Sequence, residues 1–85
     1  MIPFTGKQLQ LIQLLMEQST PIALDEISQL LHAGRRSVYY IVNKTNEVLQ
    51  MNALEPVMCK RGVGYFLLDE QKQQLSALLK KRQLQ

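Results

Sequence analysis

The chain has one cysteine, Cys59, and one histidine, His32, in 85 residues. A lone cysteine excludes a disulfide within the chain, and the pair leaves too few nitrogen and sulfur ligands for a protein metal site. No apolar run approaches the roughly 20 residues of a membrane span, so no membrane partner is expected. The opening Met1-Ile2-Pro3-Phe4-Thr5 lacks the basic-then-apolar order of a secretory signal, and the expected location is the cytoplasm. The acids Glu55, Asp69 and Glu70 are scattered and form no pair of the kind general acid–base chemistry needs. The GxxxxGK spacing of a nucleotide-binding phosphate loop is missing. No internal repeat or low-complexity linker interrupts the chain. The expectation is therefore no enzyme, no catalytic residue, no cofactor and no metal. Cys59 reads as a half-buried strand residue, and His32 as a surface or capping residue in a turn.

Hydrophobic residues make up 46% of the chain, enough for one globular domain. A chain this short buries only about 60% of its unfolded surface, so its core is small. The formal net charge is +3 and the isoelectric point about 9.3, a mild basic bias compatible with a polyanionic partner. Where the cations sit matters more than their sum.

Periodicity predicts the elements. Thr5 and Gln8 have the spacing of a capping box at the start of a first helix. Leu9, Ile12, Leu15 and Met16 then share one helical face, with Leu11 and Leu14 widening it. Ser19-Thr20-Pro21 stops that helix, and Ile22-Ala23-Leu24 reads as a short extended piece. Asp25 and Glu26 open a second helix, where acids suit the positive end, and Leu24, Ile27, Leu30 and Leu31 give its buried face. Gly34 is expected to take the positive φ of a tight turn. A third helix runs from about Arg35 to Leu49 or Gln50, buried through Val38, Val42, Thr45 and Leu49 and flanked by Ile41, with Asn52 as a left-handed cap. Leu54–Cys59 and Tyr65–Leu68 read as strands joined by Lys60-Arg61-Gly62-Val63-Gly64, with Pro56 suited to an edge. Asp69 caps a last helix with a narrow stripe of Leu75, Leu78 and Leu79.

The fold class that follows is mostly α with a small β-hairpin. Helices two and three, joined by a short turn, form a helix-turn-helix, and the hairpin projects as a wing. Residues 1–68 make this winged helix-turn-helix, a three-helix core plus wing. Residues 69–85 add a C-terminal helix or linker, expected to lead toward a regulatory region beyond Gln85.

Two features carry chemistry. Between Arg35 and Lys44 there are three cations and no acid. The opening end of such a helix is the part that enters a DNA major groove. Arginine pairs with both guanine acceptors and asparagine does the same with adenine, while tyrosine hydroxyls reach phosphates. Arg35, Arg36, Tyr40 and Asn43 are thus candidates for bases or nearby phosphates, and Ser37 and Lys44 for the backbone. A merely solvated face is the alternative, although solvated faces usually mix both signs. The second feature is Lys60-Arg61-Gly62-Val63-Gly64-Tyr65, whose glycines permit a sharp turn and a close approach while its cations sit over a phosphate. An ordinary hairpin turn with basic flanks explains it equally well.

The stretch Thr5–Leu68, about three quarters of the chain, resembles the N-terminal winged helix-turn-helix of BglG/MtlR/LicR-like bacterial transcription regulators. The text that carries the resemblance is Gln8–Leu15, Pro21–Ile27, Arg35–Glu47 with its RRSVYY opening, and Lys60–Leu67, KRGVGYFL. The wider group includes the DNA-binding domain of biotin repressors. The resemblance implies double-stranded DNA as partner and Arg35, Arg36, Ser37, Tyr39 and Tyr40 at the DNA-reading start of the third helix. It implies Lys60 and Arg61 in the wing, and a link to phosphotransferase-system control of sugar-uptake genes. This sequence departs from the group with Gly34 for Ser or Thr, Tyr40-Ile41 for Arg-Asp, and Thr45 for Leu. A homodimer is expected of the full-length protein, because one module of ~600–1,000 Å² gives little specificity alone. The rival readings are a protein-interaction module that uses Tyr39-Tyr40-Ile41 or Leu75–Leu79, and an accessory domain of a larger enzyme, as in biotin-ligase repressors.

Overall fold

The computed structural model describes residue 4 and residues 6–83, and for 81–83 the backbone alone. The expected cap at Thr5 lies outside the described residues. The order is α1 (Gly6–Glu17), α2 (Leu24–Leu31), α3 (Arg35–Met51), β1 (Met58–Lys60), β2 (Gly64–Phe66) and α4 (Asp69–Gln83).

α1 buries Leu11, Ile12 and Leu15, with Leu9, Leu14 and Met16 packed beside them. Its apolar face meets α2 and α3. Beyond it, Ile22 pairs with Tyr65 through two backbone bonds, Ile22 N–H to Tyr65 C=O at 2.8 Å and Tyr65 N–H to Ile22 C=O at 2.9 Å. The extended piece thus adds a one-residue antiparallel bridge to the hairpin at Tyr65. It is shorter than expected, because Leu24 already belongs to α2.

In α2, Ile27 and Leu31 are buried, Leu24 is half-buried, and Leu30 is 53% exposed. The expected burial of Leu30 is corrected: the stripe centred on Ile27 and Leu31 is narrow, and Leu30 falls outside it. The helix ends on His32, whose φ of 54° is left-handed. The Ala33 N–H reaches back to the Ser28 carbonyl at 3.0 Å, and the Ser28 hydroxyl donates to the Ala33 carbonyl. Gly34 is not the left-handed residue, as its φ is −67° and it starts α3. Histidine is among the side chains that tolerate that conformation best.

α3 buries Val38, Ile41, Val42, Thr45 and Leu49. The left-handed residue after it is Ala53, with φ 61°, and not Asn52, whose φ is −103°. Asn52 closes the helix with its side chain instead, donating from Nδ2 to the Val48 carbonyl at 2.8 Å.

The strands pair antiparallel in the register Met58↔Phe66, Cys59↔Tyr65 and Lys60↔Gly64. They are shorter than the sequence suggests, because side chains satisfy the flanking backbone. Asn46 Oδ1 accepts from Val57 N–H at 2.8 Å. The Gln71 amide donates to the carbonyls of Glu55 at 3.3 Å and Pro56 at 2.8 Å. Gln71 Oε1 accepts from Leu68 N–H at 2.7 Å, while the Leu68 carbonyl accepts from Lys72 N–H at 2.9 Å. The cap of α4 is therefore this exchange, and Asp69 stands as the helix's first residue. Leu75 of α4 enters the same core as Leu11, Ile27, Val38 and Leu49, and Leu78 and Leu79 pack at its margin.

Candidate nucleic-acid interface

The turn His32-Ala33-Gly34 sets the start of α3, and the helical repeat then divides its faces. Val38, Ile41, Val42, Thr45 and Leu49 fill the inner side. By spacing, Arg36, Tyr40, Asn43 and Glu47 run along the opposite ridge. Arg35 and Tyr39 flank the ridge toward the hairpin, and Ser37 and Lys44 lie on the far flank. Arg35, Arg36, Ser37, Tyr39, Tyr40 and Asn43 are all exposed, and Lys44 is half-exposed. Ile41, only 8% exposed, is removed from any outer patch with Tyr39 and Tyr40.

The charge of this face is corrected by the packing. Arg35 Nε lies 3.4 Å from Asp25 Oδ1 of α2, and Lys44 Nζ lies 3.3 Å from Glu47 Oε2 one turn on. Lys44 also stands 5.6 Å from the centre of the Tyr40 ring. The stretch without acids in the sequence is thus a mixed face in space. Both ion pairs are well exposed, a setting in which such pairs contribute about 0–1 kcal/mol to stability. Arg36 has no acidic partner among the described residues.

The hairpin turn closes with Val63 N–H on the Lys60 carbonyl at 2.9 Å. Lys60, Arg61, Gly62 and Val63 are exposed. The two glycines serve different needs. Gly62 has φ 77° with open space around it. Gly64 has φ 151°, and a Cβ there would lie 2.2 Å from the Ile22 carbonyl oxygen. The close approach Gly64 allows is therefore to Ile22 of the same chain.

Between the start of α2, α3 and the hairpin lies an open groove of about 310 Å³. Arg35 and Tyr39 of α3, Lys60, Gly62 and Gly64 of the hairpin, and Asp25 of α2 all line it. Arg36, Ser37, Tyr40, Asn43, Lys44 and Arg61 lie off its lining. Cys59 also lines the groove and is exposed, which corrects its expected half-burial: its strand edges an open groove and not the core. The Tyr65 hydroxyl is pushed above its ordinary pKa, chiefly by burial, with Cys59 and Tyr39 adding to the shift. It stays a neutral phenol at neutral pH.

In the sequence Asp25 stands out only as a helix-opening acid, yet it lines the groove. It has no periodic relation to Arg35 and reaches it only through the crossing of α2 and α3. Among the described residues, no three or more His, Cys, Asp or Glu gather where they could hold a metal ion. Among the same residues, no helix is long and apolar enough to cross a membrane. Set beside protein-family models, curated proteins and solved structures, the chain gives no match to any of them.

Proposed function

We propose that this chain is a winged helix-turn-helix that binds double-stranded DNA sequence-specifically, as the DNA-binding domain of a bacterial transcription regulator of sugar-uptake genes. On this reading α2 and α3 are the helix-turn-helix, α3 is the recognition helix, and the β1–β2 hairpin is the wing. The observation that carries it is the shared groove, in which Arg35 and Tyr39 of α3 stand with Lys60 of the hairpin. A polyanion lying along the exposed start of α3 meets Arg36 and the hairpin's Lys60 and Arg61 at once, while Asp25 offsets the charge of Arg35. The ridge of Arg36, Tyr40 and Asn43 supplies the forked donor and the amide that read base edges in a major groove. Lys44, Lys60 and Arg61 supply backbone charge. Gly34 caps α3 with no side-chain bond, so the helix's first N–H groups remain available to an anion. The genes proposed rest on the RRSVYY and KRGVGYFL resemblance, and so does a dimer of the full-length protein.

The protein-interaction reading is weaker than the sequence suggests, because Ile41 is withdrawn into the core. Salt separates the two. Titration of a fluorescent random duplex should show log affinity falling linearly with log salt concentration. If Lys44, Lys60 and Arg61 each neutralise one phosphate, the slope is about −2.7. A flat response, or no binding at low salt, defeats the DNA reading.

A further inference from the structure

We propose that Asp25 and Arg35 act as one unit that reads a guanine–cytosine pair in the major groove, with Asp25 as the positioning and specificity-setting residue; this rests on the DNA-binding reading and deepens it. The two side chains come from different helices, meet at 3.4 Å, and line the groove that Lys60 and Tyr39 also line. Both are largely exposed, at 67% and 75% of the side chain, so their contact adds little to folding. Its effect is on orientation. A free arginine at the start of α3 would sample many rotamers, and the carboxylate restricts them.

The acid also selects the kind of ligand. A phosphate brought to Arg35 would meet the like charge of Asp25, whereas a neutral base edge would not. One carboxylate contact through Nε does not exhaust the five N–H donors of a guanidinium. Across a guanine–cytosine pair the major groove presents guanine N7, guanine O6 and then the cytosine N4 amine. That order, two acceptors followed by a donor, matches an arginine fork with a carboxylate beside it. An adenine–thymine pair places a donor where the fork needs its second acceptor. Asp25 therefore weakens binding to DNA in general and sharpens it at one position, the two halves of specificity.

The test is selection from a randomised duplex library by the full chain, followed by competition binding of the selected duplex against a random duplex. Asp25→Asn and Arg35→Lys change exposed side chains, and circular dichroism checks that both fold. The wild type should select a guanine–cytosine pair at one position, preferred roughly 5- to 150-fold over other pairs. Asp25→Asn should shrink that preference while binding the random duplex more tightly, a gain that a purely structural role would not produce. Arg35→Lys, which keeps the charge and loses the fork, should abolish the preference. Salt-dependent binding with no guanine–cytosine position selected overturns the pairing alone. So does an Asp25→Asn protein that keeps the full preference. A wild type that binds no duplex at any salt concentration overturns the DNA-binding reading along with it.

Discussion

Replacing Gly64 with alanine tests the joint between the hairpin and the helical body. The new Cβ would lie 2.2 Å from the Ile22 oxygen and 2.5 Å from its carbonyl carbon, both backbone atoms that cannot rotate aside. The φ of 151° is also one that an L side chain rarely adopts. Relief requires Ile22 and Tyr65 to part, which breaks the two backbone bonds of 2.8 and 2.9 Å between them. At a net 0.5–1.5 kcal/mol each, their loss costs about 1–3 kcal/mol. Uncovering part of Ile22, only 3% exposed, adds a transfer cost of about 1 kcal/mol. Before any cost of the φ itself, a total near 3 kcal/mol lowers Tm by roughly 12–24 °C in a domain of this size. Gly62→Ala is the control. Nothing lies within 4 Å of its Cβ, so it meets only the left-handed penalty of about 1–2 kcal/mol. Thermal denaturation followed by circular dichroism gives both values, and amide exchange at Ile22 and Tyr65 reports the joint directly. If Gly64→Ala lowers Tm no more than Gly62→Ala, and those two amides stay protected, the reasoning is refuted.

Thr45 is fully buried, and its hydroxyl has no hydrogen-bond partner. Thr45→Val should therefore stabilise the fold by about 1 kcal/mol, read as a higher urea midpoint at unchanged slope; a lower midpoint contradicts the orphan hydroxyl. Gln71, 4% exposed, serves two carbonyls and one N–H, so Gln71→Leu should cost about 2–3 kcal/mol by the same assay, and a neutral result counts against the bridge. Arg36→Ala should weaken binding to the selected duplex by ~1–3 kcal/mol and leave the random duplex much less affected, whereas Lys60→Ala should weaken both alike. Equal effects of Arg36→Ala on the two duplexes remove Arg36 from base reading.

The helices were legible because their apolar residues recur at helical spacing and the core needs them. Leu11, Ile12 and Leu15, or Val38, Val42 and Leu49, have no other way to leave water together. The mostly helical class with one small hairpin follows from that pattern. The turns were less legible. Each helix end offered a favoured residue, Gly34 or Asn52, within two positions of the one that takes the left-handed angle, His32 or Ala53. Propensity ranks residues, but the length of the helix decides which one stands at the end. The strand ends were misjudged because Asn46 and Gln71 satisfy backbone groups from 55 to 57 and at 68. A side chain from a distant helix leaves no mark on a strand's alternation. On α3 the outward residues were readable from the period, since burial of one face dictates exposure of the other. The meeting of Asp25 with Arg35 was not, because it depends on how two helices cross.

Gln71 also gives α4 a mechanical role. Its amide ties the first turn of α4 to the segment that leads from α3 into β1, and Lys72 Nζ grips the Gln18 carbonyl at 2.6 Å just after α1. The helix is lashed at its base by these bonds and held along its middle by Leu75, which is buried in the core. A torque on its far end arrives at residues 55 and 56, two steps before the hairpin begins. A load carried on α4 would thus reach the hairpin through residues 55 and 56 as well as through the core it shares with the helix that bears Arg35.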